Sequence, residues 1–141
     1  MVLYEKVDKD LNDIVFVYTT CSSLNEAKSI GLSAIKERLA ISADYWIINS
    51  IYPWKNVIQD IDQSMLVFAT QKRLGEKLIK HIEAEHSYSV PVIIMSNSLM
   101  TNQSYSFWVD NTLSSKDKYI TEEEHQLQKK KKNDPIYGRL K

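Results

Sequence analysis

The chain is poor in the residues that staple, break or anchor a protein. Among its 141 residues there is one cysteine, Cys21, with three glycines and three prolines. A single thiol excludes an intramolecular disulfide and any four-cysteine zinc or iron–sulfur site. The glycines stand far apart, at 31, 75 and 138, so no glycine-rich phosphate cradle of the Walker or dinucleotide-binding kind occurs. No stretch reaches the eighteen or more uncharged apolar residues that a membrane span requires, so no membrane partner is expected. Residues 1–13 carry Glu5, Lys6, Asp8, Lys9, Asp10 and Asp13 and have no apolar core, so they do not read as a secretory signal and a cytoplasmic setting is expected.

Charge of one sign is also missing. The formal net charge is zero, but residues 1–113 hold 10 Lys and Arg against 13 Asp and Glu, and residues 114–141 hold 8 against 5. The body therefore has no bulk attraction for polyanions, and nucleic acid is not an expected partner. Residues 1–113 read as one domain and 114–141 as a charged tail, either a marginal solvated helix or a disordered arm. Glu122–Glu124 opens the tail helix and Lys129–Lys132 closes it, which suits the helix dipole.

What is present is a regular alternation of strand and helix signals. Val15–Thr20 is a short β-branched and aromatic run. Ser23 with Glu26 three residues on forms a capping box, and Leu24, Ala27, Ile30, Ala34 and Ile35 repeat at helical spacing to about Ala40. A strand is expected over 41–51, turn chemistry over Tyr52–Asn56, and a second long strand over 57–70. A helix to about Glu85, a strand over 90–95 and a short helix over 104–113 complete the order. This β-α-β-β-α-β-α order predicts an α+β, ferredoxin-like βαββαβ sandwich with a short C-terminal helix.

Two helices cover one face of such a sheet, yet Tyr45–Ile48 and Met65–Phe68 are apolar on both parities. A second cover is needed, and sister chains in an oligomer are the expected source. The competing arrangement folds the last helix and the tail back over that face.

Four short motifs, in register across about residues 13–113, resemble the CutA divalent-cation-tolerance family. Glu37-Arg38-Leu39-Ala40 resembles its E-R/K-L-A-A, and Tyr52-Pro53-Trp54-Lys55-Asn56 its hairpin Y-x-W-x-G. His86-Ser87-Tyr88-Ser89-Val90-Pro91 resembles H-P-Y-x-x-P, and Tyr105–Trp108 the closing Y-x-x-W. The resemblance implies a tight homotrimer whose hairpins grip neighbouring copies. It further implies a role in tolerance of copper and other divalent cations, with no enzymatic activity. The departures are Asn56 for Gly, Ser87 for Pro, Ala69 for Lys and Val92 for an acid, while 41–44 lacks the usual Cys and Asn. The family's metal ligands fall here on Thr19, Ile61 and His86.

Topology offers a metal site of its own. The end of strand one lies beside the starts of strands three and four, so Cys21 and His86 are the candidate ligands, with Asp60 or Asp62 supplying a carboxylate. Thiolate, imidazole and carboxylate suit copper or zinc, so copper or another divalent cation is the expected cofactor, if the site is used. The plainer reading makes Cys21 a buried filler and His86 a hydrogen-bonded turn residue. His81 and Glu85, at i and i+4, read as a solvated helix face rather than a metal pair. Thr19–Ser23 reads as capping rather than an anion site, and Trp54, Tyr88 and Trp108 as packing or subunit-contact residues. A PII-like trimer sensing a nucleotide lacks its flexible glycine-rich loop and clustered arginines. A non-catalytic assembly module would use the basic tail as a partner-binding arm. An acylphosphatase would need an Arg after strand one, and an RNA-binding sheet its RNP aromatics.

Overall fold

A computed structural model describes residues 10–133. The first nine residues, and the end of the charged tail from 134 to 141, lie outside the described residues. The elements are β1 (Ile14–Cys21), α1 (Leu24–Lys36), β2 (Ser42–Trp54), β3 (Val57–Gln71), α2 (Gly75–Glu85), β4 (Ile93–Met95), α3 (Gln103–Ser114) and α4 (Glu122–Asn133). The four strands form one antiparallel sheet in the order β2-β3-β1-β4.

Strand register sorts the side chains between two faces. Val17 pairs with Phe68, Thr19 with Leu66 and Cys21 with Ser64, and these side chains are buried together. Ala27, Ile30 and Ala34 of α1 and Leu78 and Ile82 of α2 close over them, forming the main core. Fully burying such aliphatic side chains stabilises the fold by roughly 1.5–3 kcal/mol each. Gly31 lets α1 approach β2 closely, since a Cβ there would meet the Ala43 Cβ at 3.1 Å.

The opposite face carries Phe16 and Tyr18 of β1, Met65 and Val67 of β3, Trp46 and Ile48 of β2 and Ile94 of β4. Helix α3 folds back over only one end of it. Val109 and Leu113 bury Ile14 and Leu74 there, and Gln71 donates to Asp110 at 3.2 Å. Phe16, Trp46 and Ile94 remain 45%, 48% and 46% exposed. Phe68, grouped in sequence with the doubly apolar stretch, belongs wholly to the helix-covered core. Its parity places it there, while Val67 and Met65 take the open side.

The hairpin departs from the sequence expectation. Tyr52, Pro53 and Trp54 are not turn residues but the end of β2, and Trp54 pairs with Val57. Only Lys55 and Asn56 turn, with φ of 49° and 66°. Two left-handed residues match the twist of a two-residue hairpin, and Pro53 is tolerated because β2 is an edge strand. The last strand is also shorter than expected, because Val90–Val92 stays out of the ladder.

Helix α1 ends earlier than its apolar pattern suggests. Arg38 adopts φ 58°, and the Leu39 and Arg38 N–H groups reach back to the carbonyls of Ala34 and Ile35. That is a Schellman cap with arginine where glycine is usual. The Arg38 guanidinium then donates to the Thr112 carbonyl at 2.8 Å and to the Tyr119 hydroxyl at 2.6 Å, and lies 3.9 Å over the Tyr119 ring. Beyond this clasp, α4 buries no side chain and touches α1 through an exposed Lys36–Glu124 ion pair at 2.9 Å. An exposed pair of this kind contributes about 0–1 kcal/mol.

Candidate functional site

The end of the sheet away from α3 gathers the titratable groups. β1 finishes at Cys21, and Ser23 caps α1 by accepting the Glu26 N–H at 3.1 Å. The Glu26 side chain then turns back toward the strand end. Its Oε1 accepts from the Ser22 N–H at 3.0 Å, and its Oε2 accepts from the Ser87 N–H at 3.1 Å. His86 follows α2 directly. Its Nε2 meets the Thr20 carbonyl at 2.9 Å and the Thr19 hydroxyl at 3.1 Å, while its Nδ1 accepts from the Tyr88 N–H at 3.1 Å.

One ligand atom each from Cys21, Glu26 and His86 lies within 4.8 Å of the others. The two residues singled out in the sequence, Cys21 and His86, are thus brought together. The expected aspartates are not. Asp62 bonds the Asn49 side chain across the β2–β3 ladder, and Asp60 lies further out, opposite Ile51. Glu26 takes their place. In the sequence it registers only as the acid of a capping box, and that signal also puts its carboxylate at the helix start, beside the end of β1.

The electrostatics of the three groups differ. Burial, reinforced by the nearby Glu26 charge, pushes the Cys21 thiol up to about 12, so it is protonated at neutral pH. Burial alone would raise Glu26. Hydrogen bonds from Ser87 and Ser22, with the influence of His86, outweigh it and hold the carboxyl below its ordinary 4.5. As a donor set, thiol, imidazole and carboxylate fit a borderline-soft cation such as zinc or copper. Glu26 and His86 are hydrogen-bonded and Cys21 is protonated, so a cation must displace a thiol proton and part of this hydrogen bonding.

Other sequence candidates resolve differently. Thr19, at the family's cysteine position, hydrogen-bonds His86, whereas Ile61 lies on β3 opposite Ser50. The Ser22 N–H, one donor an anion would use, is spent on Glu26. His81 and Glu85 both contact Ser33 of α1, at 2.9 and 2.7 Å, and so tie α2 to α1.

Beside the donor cluster, on the open side of the sheet, is a cavity of about 750 Å³. Its walls include Tyr52, Trp54, Gln59, Gln63 and Tyr88, and the described residues that line it bear no charged side chain. Residues 87–92 form one rim, and the Tyr88 hydroxyl donates to Gln63 Oε1 at 3.1 Å. The sequence points to packing or subunit contact for Trp54 and Tyr88; the cavity is not visible there because its walls come from four separated segments.

Known proteins share this architecture. The family described as CutA1 divalent ion tolerance protein matches residues 15–112. The divalent-cation tolerance protein CutA of Pyrococcus horikoshii is 28% identical over 96 residues, covering 68% of this chain and 94% of that protein. The chloroplastic CutA of Arabidopsis thaliana is 29% identical over 109 residues, and the match spans 77% of this chain but 59% of that longer protein. The chain thus spans little more than half the length of such plant relatives. The crystal structure of Pyrococcus horikoshii CutA1, 26% identical, superimposes with a TM-score of 0.68 over 72% of this chain and 99% of that one. The periplasmic divalent cation tolerance protein CutA from Archaeoglobus fulgidus, at 24% identity, shares the fold with a TM-score of 0.69. Among the described residues no helix is long and apolar enough to cross a membrane. With the family's pattern running through the whole sheet and its helices, this chain belongs to the CutA1 divalent ion tolerance family.

Proposed function

We propose that this protein serves divalent-cation tolerance by capturing a thiophilic cation, copper or zinc, at Cys21, Glu26 and His86. The observation that carries the reading is the convergence of three unlike donors within 4.8 Å at the end of the sheet. Cys21 would supply a soft thiolate, His86 an imidazole nitrogen and Glu26 a carboxylate oxygen; a bound cation would offer Lewis acidity and charge neutralisation there. Calorimetric titration of copper and zinc into wild type, Cys21→Ala and His86→Ala tests it. Wild type is expected to bind and both variants to lose at least tenfold in affinity. Equal isotherms for all three proteins refute the site.

The working assembly in this reading is a homotrimer of ferredoxin-like sandwiches. The β2-β3-β1-β4 order with paired crossover helices supports the topology. The exposed Phe16, Trp46 and Ile94, together with Ile51, Val57 and Ile58 on the projecting hairpin, support burial against copies of the same chain. Residues 1–113 form the family domain and 114–141 an appended segment, in line with a family match that ends at 112. Light scattering should give three protomer masses, and a monomer refutes the assembly. The lone thiol suits a reducing compartment, which supports a cytoplasmic setting that cell fractionation can check. The uncharged cavity lining gives no support to the competing nucleotide-sensor reading, because phosphates want Lys, Arg or a glycine-rich cradle.

A further inference from the structure

His86 does two things at once. It presents a nitrogen to the donor cluster, and it holds the backbone of the loop that forms one rim of the cavity. The ring's Nδ1 accepts the Tyr88 N–H, so in the neutral imidazole the proton sits on Nε2, shared between the Thr20 carbonyl and the Thr19 hydroxyl. That tautomer follows from the partners: a backbone N–H can only donate, and a carbonyl can only accept.

Ligation requires an imidazole nitrogen with a free lone pair, and a neutral ring has one such nitrogen. If Nδ1 is the ligand, its lone pair is withdrawn from the Tyr88 N–H directly. If Nε2 is the ligand, the ring proton must move to Nδ1, where it faces the Tyr88 N–H donor against donor. Both routes end with the same bond broken. We infer that cation capture by His86 breaks the Tyr88 N–H to Nδ1 hydrogen bond and unseats Tyr88 from the cavity wall, making the cavity a cation-responsive element. This rests on the capture reading given above and adds its consequence.

The rest of the loop is poised to follow. The Ser87 N–H is held by Glu26 Oε2, a second donor of the same cluster, so engagement of that carboxylate weakens the adjacent tether too. The Tyr88 ring lies 4.9 Å from the His86 ring, and its hydroxyl reaches Gln63 on β3. Ser87, Tyr88, Ser89, Val90 and Val92 all contribute to the cavity, so a shift of this segment changes its shape directly. Residues 87–92 lie outside the strand ladder, which leaves these side-chain tethers as the main restraint on the loop.

The test uses the full wild-type chain titrated with cadmium, whose thiolate absorption reports Cys21, with amide hydrogen exchange read residue by residue. The expected result is a thiolate band together with roughly tenfold faster exchange at Tyr88, while amides of β1 and β3 keep their protection. A band with unchanged Tyr88 exchange overturns the coupling and leaves cation capture standing. No band and no change in exchange overturns both. Tyr88→Phe, which keeps the backbone N–H but removes the Gln63 tether, is expected to enlarge the exchange response; a smaller response than wild type also counts against the coupling.

Discussion

Raising the pH should destabilise this protein through one buried thiol. The Cys21 side chain is wholly inaccessible, and its ionisation is pushed from an ordinary 9.0 to about 12, by burial first and the Glu26 charge second. The native state therefore keeps a proton that the unfolded chain gives up. Stability from this group is complete below pH 9.0 and is lost as pH rises toward 12. At pH 10 the unfolded thiol is about ten-elevenths ionised and the native thiol hardly at all, a loss of about 1.4 kcal/mol, against almost none at pH 7.5. The clean measurement is the difference between wild type and Cys21→Ala by urea denaturation, with chelator present and protomer concentration fixed. Other alkaline titrations, such as that of Tyr88, are largely common to both proteins and drop out. At pH 7.5 the variant should be about 1–2 kcal/mol less stable, for the packing lost with the sulfur. At pH 10 that gap should close by about 1.4 kcal/mol. A gap that stays constant from pH 7.5 to 10 refutes the claim that the thiol is held protonated by its surroundings.

Three further outcomes follow from the same geometry. Cation affinity should rise about tenfold per pH unit between 7 and 8.5, because ligation displaces the Cys21 proton; a flat profile by competition titration would mean the thiol is not a ligand. Glu26→Gln should cost about 1–3 kcal/mol at pH 7 by removing the charge that accepts the Ser22 and Ser87 N–H groups. Since the Glu26 carboxyl is held below its ordinary 4.5, its contribution is present above that pH and lost as pH falls through the native value. The two proteins should therefore converge in acid, and a gap that widens there would contradict the assignment. Arg38→Gly should relieve about 1 kcal/mol of left-handed backbone strain while releasing the segment after α3. Limited proteolysis should then cut within 115–121, with melting temperature changed by only a few degrees; unchanged proteolysis would show that the clasp does not hold the tail.

The layers that depend on local periodicity were legible in the sequence, and those that depend on register were not. The capping box at Ser23 and Glu26 placed α1, and helical periodicity placed α2 up to Glu85, because these patterns report one chain segment at a time. Pro53 misled because proline reads as a turn residue until the strand is known to be an edge. Phe68 misled because an apolar run without alternation does not reveal which parity faces the helices. The donor cluster was half visible. Cys21 and His86 stand where the chain order brings strand and helix ends together. Glu26 was hidden by its local role, since a capping acid is expected to satisfy the helix start rather than bridge to residue 87. The cavity was wholly hidden, because it exists only once Thr20, 50–54, 59–63 and 87–92 are folded against one another.

At the proposed site, burial of Cys21 more than the Glu26 charge would decide which cations are admitted. Glu26 raises the thiol further through its charge and places its own oxygen in the donor cluster, so it would both deter and assist the proposed capture. At pH 7, removing a proton from a group that titrates near 12 costs on the order of 7 kcal/mol before any coordination bond forms. Magnesium and calcium gain little from sulfur and prefer six or more oxygens, so they do not recover that cost from one carboxylate. Copper, zinc and cadmium recover it through the metal–thiolate bond itself, because the ion's charge lowers the thiol's ionisation as it binds. In the proposed site, the barrier that keeps Cys21 protonated would therefore act as the selectivity filter, with burial as its main cause. A substitution that opened the Cys21 pocket to water, such as Leu66→Ala in the core beside it, should raise reactivity toward thiol reagents and narrow the preference for zinc over magnesium. Retention of both the inertness and the full preference in such a variant would show that burial is not what sets the selectivity.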